Sequence, residues 1–366
     1  MRVAFAVFLV GIILSTGCRP DPELIAVEVE RQHRWERFER LSNRRAIRTG
    51  IYSDTLDRKL YLPGVNNLAV ISYDSEGVVE EEEGLIDYVL TFYEPLVYGT
   101  PINRDLVVST SSDQFFRVSK TTSPNYFENG LQFYGPNLDT AFIRYDFPYW
   151  HQSVNFGLTD DNYLLVSYLR KRHDQIGYDT EFTLIEIDQE DDTHLTSLEV
   201  TSMQKIDKPE DWGKANAIHV IDNTFFVATS GATYRIFTDG TWQLSYDSNL
   251  FDMFELNGHL FAITWNGLIV SNDMGASWQT IQQIGNELRL GRYRTIDRQI
   301  VGFFQDQLFR LEFLETGLTG ITYLDNDGLE GEEITGIAVA GERVYISTLG
   351  GVFSRQRSEF FTPIEE

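Results

Sequence analysis

From about residue 61 onward the hydrophobic positions fall in short runs rich in Val, Ile, Phe and Tyr, bounded by Gly, Asn and Asp, with no long helical period. Such runs read as β-strands. Seven of them share one form: LAVIS (68–72), LVVST (106–110), YLLVS (163–167), FFVAT (225–229), LFAIT (260–264), IVGFF (300–304) and VYIST (344–348). Each is nearly all apolar, most close on Ser or Thr, and they follow turns such as Asn66-Asn67, Asp161-Asn162, Asp222-Asn223 or Asn257-Gly258. Their last residues stand 38, 57, 62, 35, 40 and 44 positions apart, about 46 on average. A four-stranded propeller blade occupies roughly 40–50 residues. The pattern therefore predicts an all-β chain whose residues 61–366 form a β-propeller of seven blades, within a range of six to eight because the two long intervals leave room for insertions or another blade.

The N-terminus has a different pattern. Residues 1–22 read MRVAFAVFLVGIILSTGCRPDP, with Arg2 ahead of twelve apolar or small residues, Val3 to Leu14. That run is too short to span a bilayer, and no other stretch approaches the ~20 apolar residues a span requires. It ends in Ser15-Thr16-Gly17 directly before Cys18, the single cysteine of the chain. This segment resembles a bacterial lipoprotein signal peptide with its lipobox. The resemblance implies that residues 1–17 are removed and that Cys18 carries thioether-linked and N-linked acyl chains of the palmitate kind, enough for stable anchoring. Arg19, in place of Asp after the cysteine, implies sorting to an outer membrane. The departure is Ser15, where the family usually has Leu; an ordinary signal peptide in which Cys18 is incidental is the other reading.

Residues 18–60 read as a basic tether. Between 19 and 60 there are ten Lys/Arg against eight Asp/Glu, whereas residues 61–366 carry 19 basic and 47 acidic residues. Trp35, Phe38 and Leu41 recur every three residues, and Glu30/Arg34 and Glu36/Arg40 are spaced to pair across one turn, so a helix is expected from about Glu23 to Arg45. Such a segment either lies on anionic headgroups or packs Trp35 and Phe38 against the acidic body, and it stands outside the ring or contributes a closing strand to it.

Near the C-terminus, SNDMGASW (271–278) has the pattern Ser/Thr-x-Asp-x-Gly-x-x-Trp. It resembles the box of the Asp-box (BNR) propellers, a superfamily that includes sialidases. The implied roles are structural: Ser271 and Asp273 satisfy the turn backbone, Gly275 supplies a positive φ, and Trp278 packs beside the blade. FTDGTW (237–242) looks like a shortened copy. Residues 325–354, with NDGL and STLGGVF, resemble a second group, the sensor repeats of hybrid two-component regulators.

Candidate chemistry is sparse. The chain has 366 residues, a net charge of -25 and 13% aromatic residues, so it builds a large core and disfavours nucleic acid as a partner. There is no phosphate loop, no HExxH and no close His pair among the six histidines, and no arginine-triad motif of the sialidase kind, so no catalytic residue, metal ligand or cofactor is assigned. The acidic clusters 80–83, 188–192 and 325–333 lack EF-hand spacing. The aromatic stretch 145–151 offers Tyr145, Tyr149 and Trp150 as ligand-face aromatics, or as a core segment. The expectation is a lipid-anchored envelope propeller, bound to the membrane through Cys18 and acting as a non-catalytic binder or scaffold for an envelope protein or glycan. The alternative is a glycan-active hydrolase or lyase using an Asp/Glu pair near the propeller axis.

Overall fold

A computed structural model describes residues 35–38, 50–54, 58–63, 67–87, 101–102, 106–109, 116–120, 131–133, 155–171, 178–189, 198–209, 212–314, 317–329 and 331–364. The signal segment with Cys18, Leu41, and the stretch holding Tyr145, Tyr149 and Trp150 lie outside them. The described strands form seven four-stranded antiparallel sheets, each built from strands consecutive in sequence except the last. This is the β-propeller expected from the spacing of the apolar runs.

Blade 1 comprises Tyr52–Asp54, Lys59–Pro63, Asn67–Tyr73 and Val79–Asp87. Blades 2 to 6 span residues 101–133, 155–205, 215–246, 250–282 and 292–324. Blade 7 contains Ile334–Ala340, Arg343–Thr348 and Gly351–Gln356, and its outer strand is Glu36–Arg37, paired as Glu36↔Ser354 and Arg37↔Phe353. The ring is thus closed by the N-terminal side of the chain. Residues 36–37, 52–54 and 59–60, read from the sequence as tether, belong to the sheets. Residues 36–37 are extended where the three-residue spacing predicted helix, because the open edge at Val352–Ser354 supplies backbone partners that local periodicity does not reveal.

The core lies in layers between blades. Ile296, Val301, Phe303 and Leu308 of blade 6 meet Ile337, Val344, Ile346 and Phe353 of blade 7, with Trp35 in the same cluster. Equivalent layers join blade 7 to blade 1 through Ile71, Tyr345 and Val352, and blade 5 to blade 6 through Phe254, Phe261 and Phe309. A blade packed on both faces buries every residue of its central strands, which is why Leu260 to Thr264 are all buried and the runs are continuous instead of alternating. The turns into these runs have φ > 0 at both central positions: Asp222-Asn223, Asn257-Gly258 and Asp297-Arg298. That is the two-residue hairpin geometry that Asn, Asp and Gly accept at least cost.

Threonine closes four of the runs, and in the three whose threonine is described it does so for a physical reason. The buried Thr264 hydroxyl donates to the Gly267 carbonyl at 2.9 Å and accepts the N–H groups of Asn266 and Gly267, both at 3.1 Å. Thr229 does the same over Gly231-Ala232, and Thr348 donates to the Gly351 carbonyl while accepting the Gly350 N–H. The hydroxyl satisfies the turn between second and third strands from beneath. Gly267 follows with φ 141°, and a Cβ there would stand 2.1 Å from the Gln282 carbonyl oxygen.

Candidate functional site

In a four-stranded antiparallel blade, the turns between strands 1 and 2 and between strands 3 and 4 share one end of the sheet. The turns between strands 2 and 3, together with the connections to the next blade, share the other. The Asp273 turn is at the first end. Of the exposed apolar side chains of blades 5 to 7, Phe251, Trp265, Leu290 and Leu349 stand at the second, whereas Leu314 is in the strand 3–4 turn of blade 6 at the first.

Trp265 follows Thr264 in the strand 2–3 turn of blade 5, and the residue is 63% exposed. The Thr264 clasp and the two-residue turn force it outward. Phe251, the bulged residue at the start of the first strand Leu250–Leu256, stands 6.1 Å from it between ring centroids, and the Arg289 guanidinium lies 4.7 Å over the ring. Arg289 is on the short helix Asn286–Leu290 and is oriented by the Asn286 side chain, which accepts from Nη1 at 3.1 Å. A cation over a tryptophan face fixes the ring without hiding it. Leu290 beside it and Leu349, in the strand 2–3 turn of blade 7, are also exposed.

Leu290 and Leu349 border a cavity of about 590 Å³ between blades 6 and 7, lined further by Phe303, Phe304, Ile334 and the polar Arg292, Gln305, Glu333 and Thr335. Among the described residues Arg292 makes one hydrogen bond, from Nη1 to the Thr335 carbonyl at 3.3 Å, and the Glu333 carboxylate makes none. The lining is therefore mixed, five apolar side chains beside four polar ones, of which one is positive and one negative.

At the opposite end, the Ser271 hydroxyl donates to Asp273 Oδ1 at 2.7 Å and accepts the Gly275 N–H at 2.7 Å. The Asp273 carboxylate also accepts the Ser277 N–H at 2.8 Å and hydroxyl at 2.6 Å, and these bonds lower its pKa to about 2. Gly275 has φ 77°, and a Cβ there would meet the Phe226 ring at 2.5 Å. Trp278 Nε1 donates to Ser245 Oγ at 3.0 Å, and Ser245 donates to the Gly275 carbonyl at 2.7 Å, tying the turn to blade 4. In blade 4, Asp239 accepts the Thr241 N–H and hydroxyl, and Trp242 Nε1 donates to the Asp207 carbonyl at 2.7 Å. None of these groups faces the cavity.

First strands of blades 4, 5 and 6 place His219, Asp252 and Arg294 near one another. His219 Nδ1 is 3.9 Å from Asp252 Oδ1, while Asp252 also accepts the backbone N–H of Met253 and of Tyr293, both at 2.8 Å. Burial lowers the His219 pKa, against the opposing pull of Asp252. Among the described residues no cluster of three or more His, Cys, Asp or Glu has the arrangement of a metal site, and no helix is long and apolar enough to cross a membrane.

Of the cavity residues the sequence marks Glu333, in the acidic cluster 325–333, and Phe303 and Phe304, in a strand run, but it marks none of them, nor Trp265, as part of a binding site. Trp265 extends an apolar run and reads as core there; the signal that marks it is its place between the run-closing Thr264 and Asn266-Gly267.

No protein-family model matches the chain, and no curated protein matches it in sequence. Among solved structures, the extracellular domain of what is described as a one component system from B. thetaiotaomicron matches with TM-score 0.53 and 12% identity, over 88% of this chain and 40% of that one. One described as part of a hybrid two component system from the same organism matches with TM-score 0.51 and 12% identity, over 88% and 39%. BamB from Moraxella catarrhalis gives TM-score 0.48 and 11% identity over 84% of each chain. The two likenesses above 0.5 are of fold, and this chain spans about two fifths of the length of those domains.

Proposed function

We propose that the protein is a non-catalytic docking module of the bacterial cell envelope, held to a membrane by lipid on Cys18, with the propeller face that carries Trp265 as its binding surface. The observation that carries this reading is a tryptophan two-thirds exposed yet fixed between Phe251 and Arg289. Large exposed aromatics held rigidly are the side chains that dominate protein interfaces, and a patch of Phe251, Trp265, Leu290 and Leu349 has no role in the core. The glycan-cleaving alternative needs two carboxylates across a cleft, and the described cavity lining offers one, Glu333. The Asp273 turn, at the other end of the blades, supports stability in this reading.

The test is affinity capture from envelope extract with the detergent-solubilised full chain, beside a panel of glycosides. The expected result is a partner retained by the parent, lost on Trp265→Ala, and no turnover. Turnover abolished by one Asp or Glu substitution would overturn it. For the anchor, Cys18→Ala should move the protein out of the membrane fraction; retention equal to the parent removes the lipid from the account.

A further inference from the structure

We propose that the cavity between blades 6 and 7 is a peptide subsite, taking an apolar side chain of an extended segment of a partner protein whose neighbouring acidic residue pairs with Arg292. This rests on the docking face proposed above and names what enters one part of it.

The floor decides the class of occupant. Phe303, Phe304, Ile334, Leu290 and Leu349 offer apolar surface beside the polar Arg292, Gln305, Glu333 and Thr335, a mixture that asks for an occupant with an apolar side chain and charged or polar groups close together. A hydrocarbon chain alone would make no use of the Arg292 and Glu333 charges. A peptide meets both demands. Its apolar side chain covers the floor, and a carboxylate takes the N–H groups that Arg292 does not spend on the Thr335 carbonyl. Glu333, unpaired among the described residues, then faces a backbone N–H or a basic side chain.

Size and continuity agree. About 590 Å³ exceeds what one side chain fills and lies within the usual range of ligand sites. Leu290 borders the cavity and is adjacent to Arg289, which covers Trp265. An extended chain crossing the helix Asn286–Leu290 therefore reaches the aromatic patch and the cavity together. The charges also restrict the partner: on a chain of net charge -25 a strongly acidic segment is repelled at long range, so the acidic residue that Arg292 takes is a single one in an otherwise neutral or basic segment.

The experiment pans a phage-displayed library of random 12-residue peptides on the detergent-solubilised full chain, then titrates fluorescein-labelled synthetic copies of the enriched peptides by anisotropy. The expected peptides carry a large apolar residue beside one Asp or Glu. Leu349→Glu and Arg292→Glu each weaken them by about tenfold or more, and Arg292→Glu regains affinity for peptides in which that acid is replaced by Lys. Leu290→Asp, also at an exposed position, serves as the second floor variant, with circular dichroism to confirm that each variant folds. Peptides that need Trp265 but are indifferent to Arg292, Leu290 and Leu349 overturn the subsite while leaving the docking face standing. A library with no binder to the parent, or a glycan that competes at the cavity, overturns it as well.

Discussion

Trp35 meets Phe360 edge-on, with ring centroids 6.0 Å apart and planes at 86°, and this contact fastens the two ends of the described chain to each other. Around it, the Trp35 N–H donates to the Asp327 carbonyl at 2.9 Å, and Nε1 donates to the Asp325 carbonyl at 3.3 Å. Arg355, buried 5.8 Å from the Trp35 ring, donates to the Asp325 carbonyl at 3.0 Å and carboxylate at 3.1 Å. The NDGL turn is thus the platform on which the closing strand is seated. A two-residue strand contributes few backbone bonds, so most of the closure energy comes from the buried indole.

Trp35→Ala is expected to destabilise the propeller by about 3–5 kcal/mol, the usual cost of emptying a buried aromatic site. Limited proteolysis should then cut near residues 35–38 under conditions where the parent is resistant. Glu36→Ala, at an exposed position in the same strand, should stay within about 0.5 kcal/mol of the parent. Equal effects from the two variants would show that Trp35 is not the fastener.

The threonine clasps make a second prediction. Thr264→Val and Thr348→Val keep the shape and remove a hydroxyl that satisfies buried turn groups, so each should cost about 1–3 kcal/mol in urea unfolding. Phe304 stands at the corresponding place in blade 6, closing IVGFF before the turn Phe304–Gln307. Substituting there tests packing without touching a clasp.

Those threonines also show what was legible beforehand. The five-residue runs, their Ser or Thr endings and the Asn-Gly turns repeat because each blade solves the same local problem, and local problems leave local patterns. A closing strand from the N-terminal segment was legible as one of two readings, but which residues form it was not. Trp35, Phe38 and Leu41 have helical spacing, and the edge strand that extends residues 36–37 is supplied by Val352–Ser354, far along the chain. Trp265 was hidden for a related reason: an aromatic after LFAIT is apolar in composition, and only the turn geometry turns it outward. The cavity joins residues of two blades and a short helix, a juxtaposition no single stretch contains.

The Asp273 turn predicts acid behaviour. Its folded pKa, about 2, lies below the ordinary 3.8 because the ionised carboxylate accepts bonds from Ser277 and Ser271. A depressed carboxylate favours the folded state fully above 3.8, and this contribution is lost as pH falls from there towards 2. Asp273→Asn should therefore be less stable than the parent at neutral pH, with the gap shrinking through that window in denaturant titrations. Trp278→Ala, which removes a half-buried ring bonded to Ser245, should cost roughly 2–3 kcal/mol at any pH, less than a fully buried indole.

His219 predicts the opposite end of the acidic range. Its folded pKa is lowered from 6.5 chiefly by burial; Asp252 pulls it up and Arg294 pushes it further down. The folded chain thus refuses a proton that the unfolded chain accepts. Stability is unaffected by this group above 6.5 and falls as pH drops below it, until the folded imidazole itself titrates. In thermal melts between pH 8 and 5, His219→Gln should lose part of the decline that the parent shows below 6.5. Parallel pH curves for the parent and His219→Gln would mean that the imidazole is protonated as readily in the ring as outside it, and the Asp252 carboxylate, 3.9 Å away, would then be the dominant influence on it.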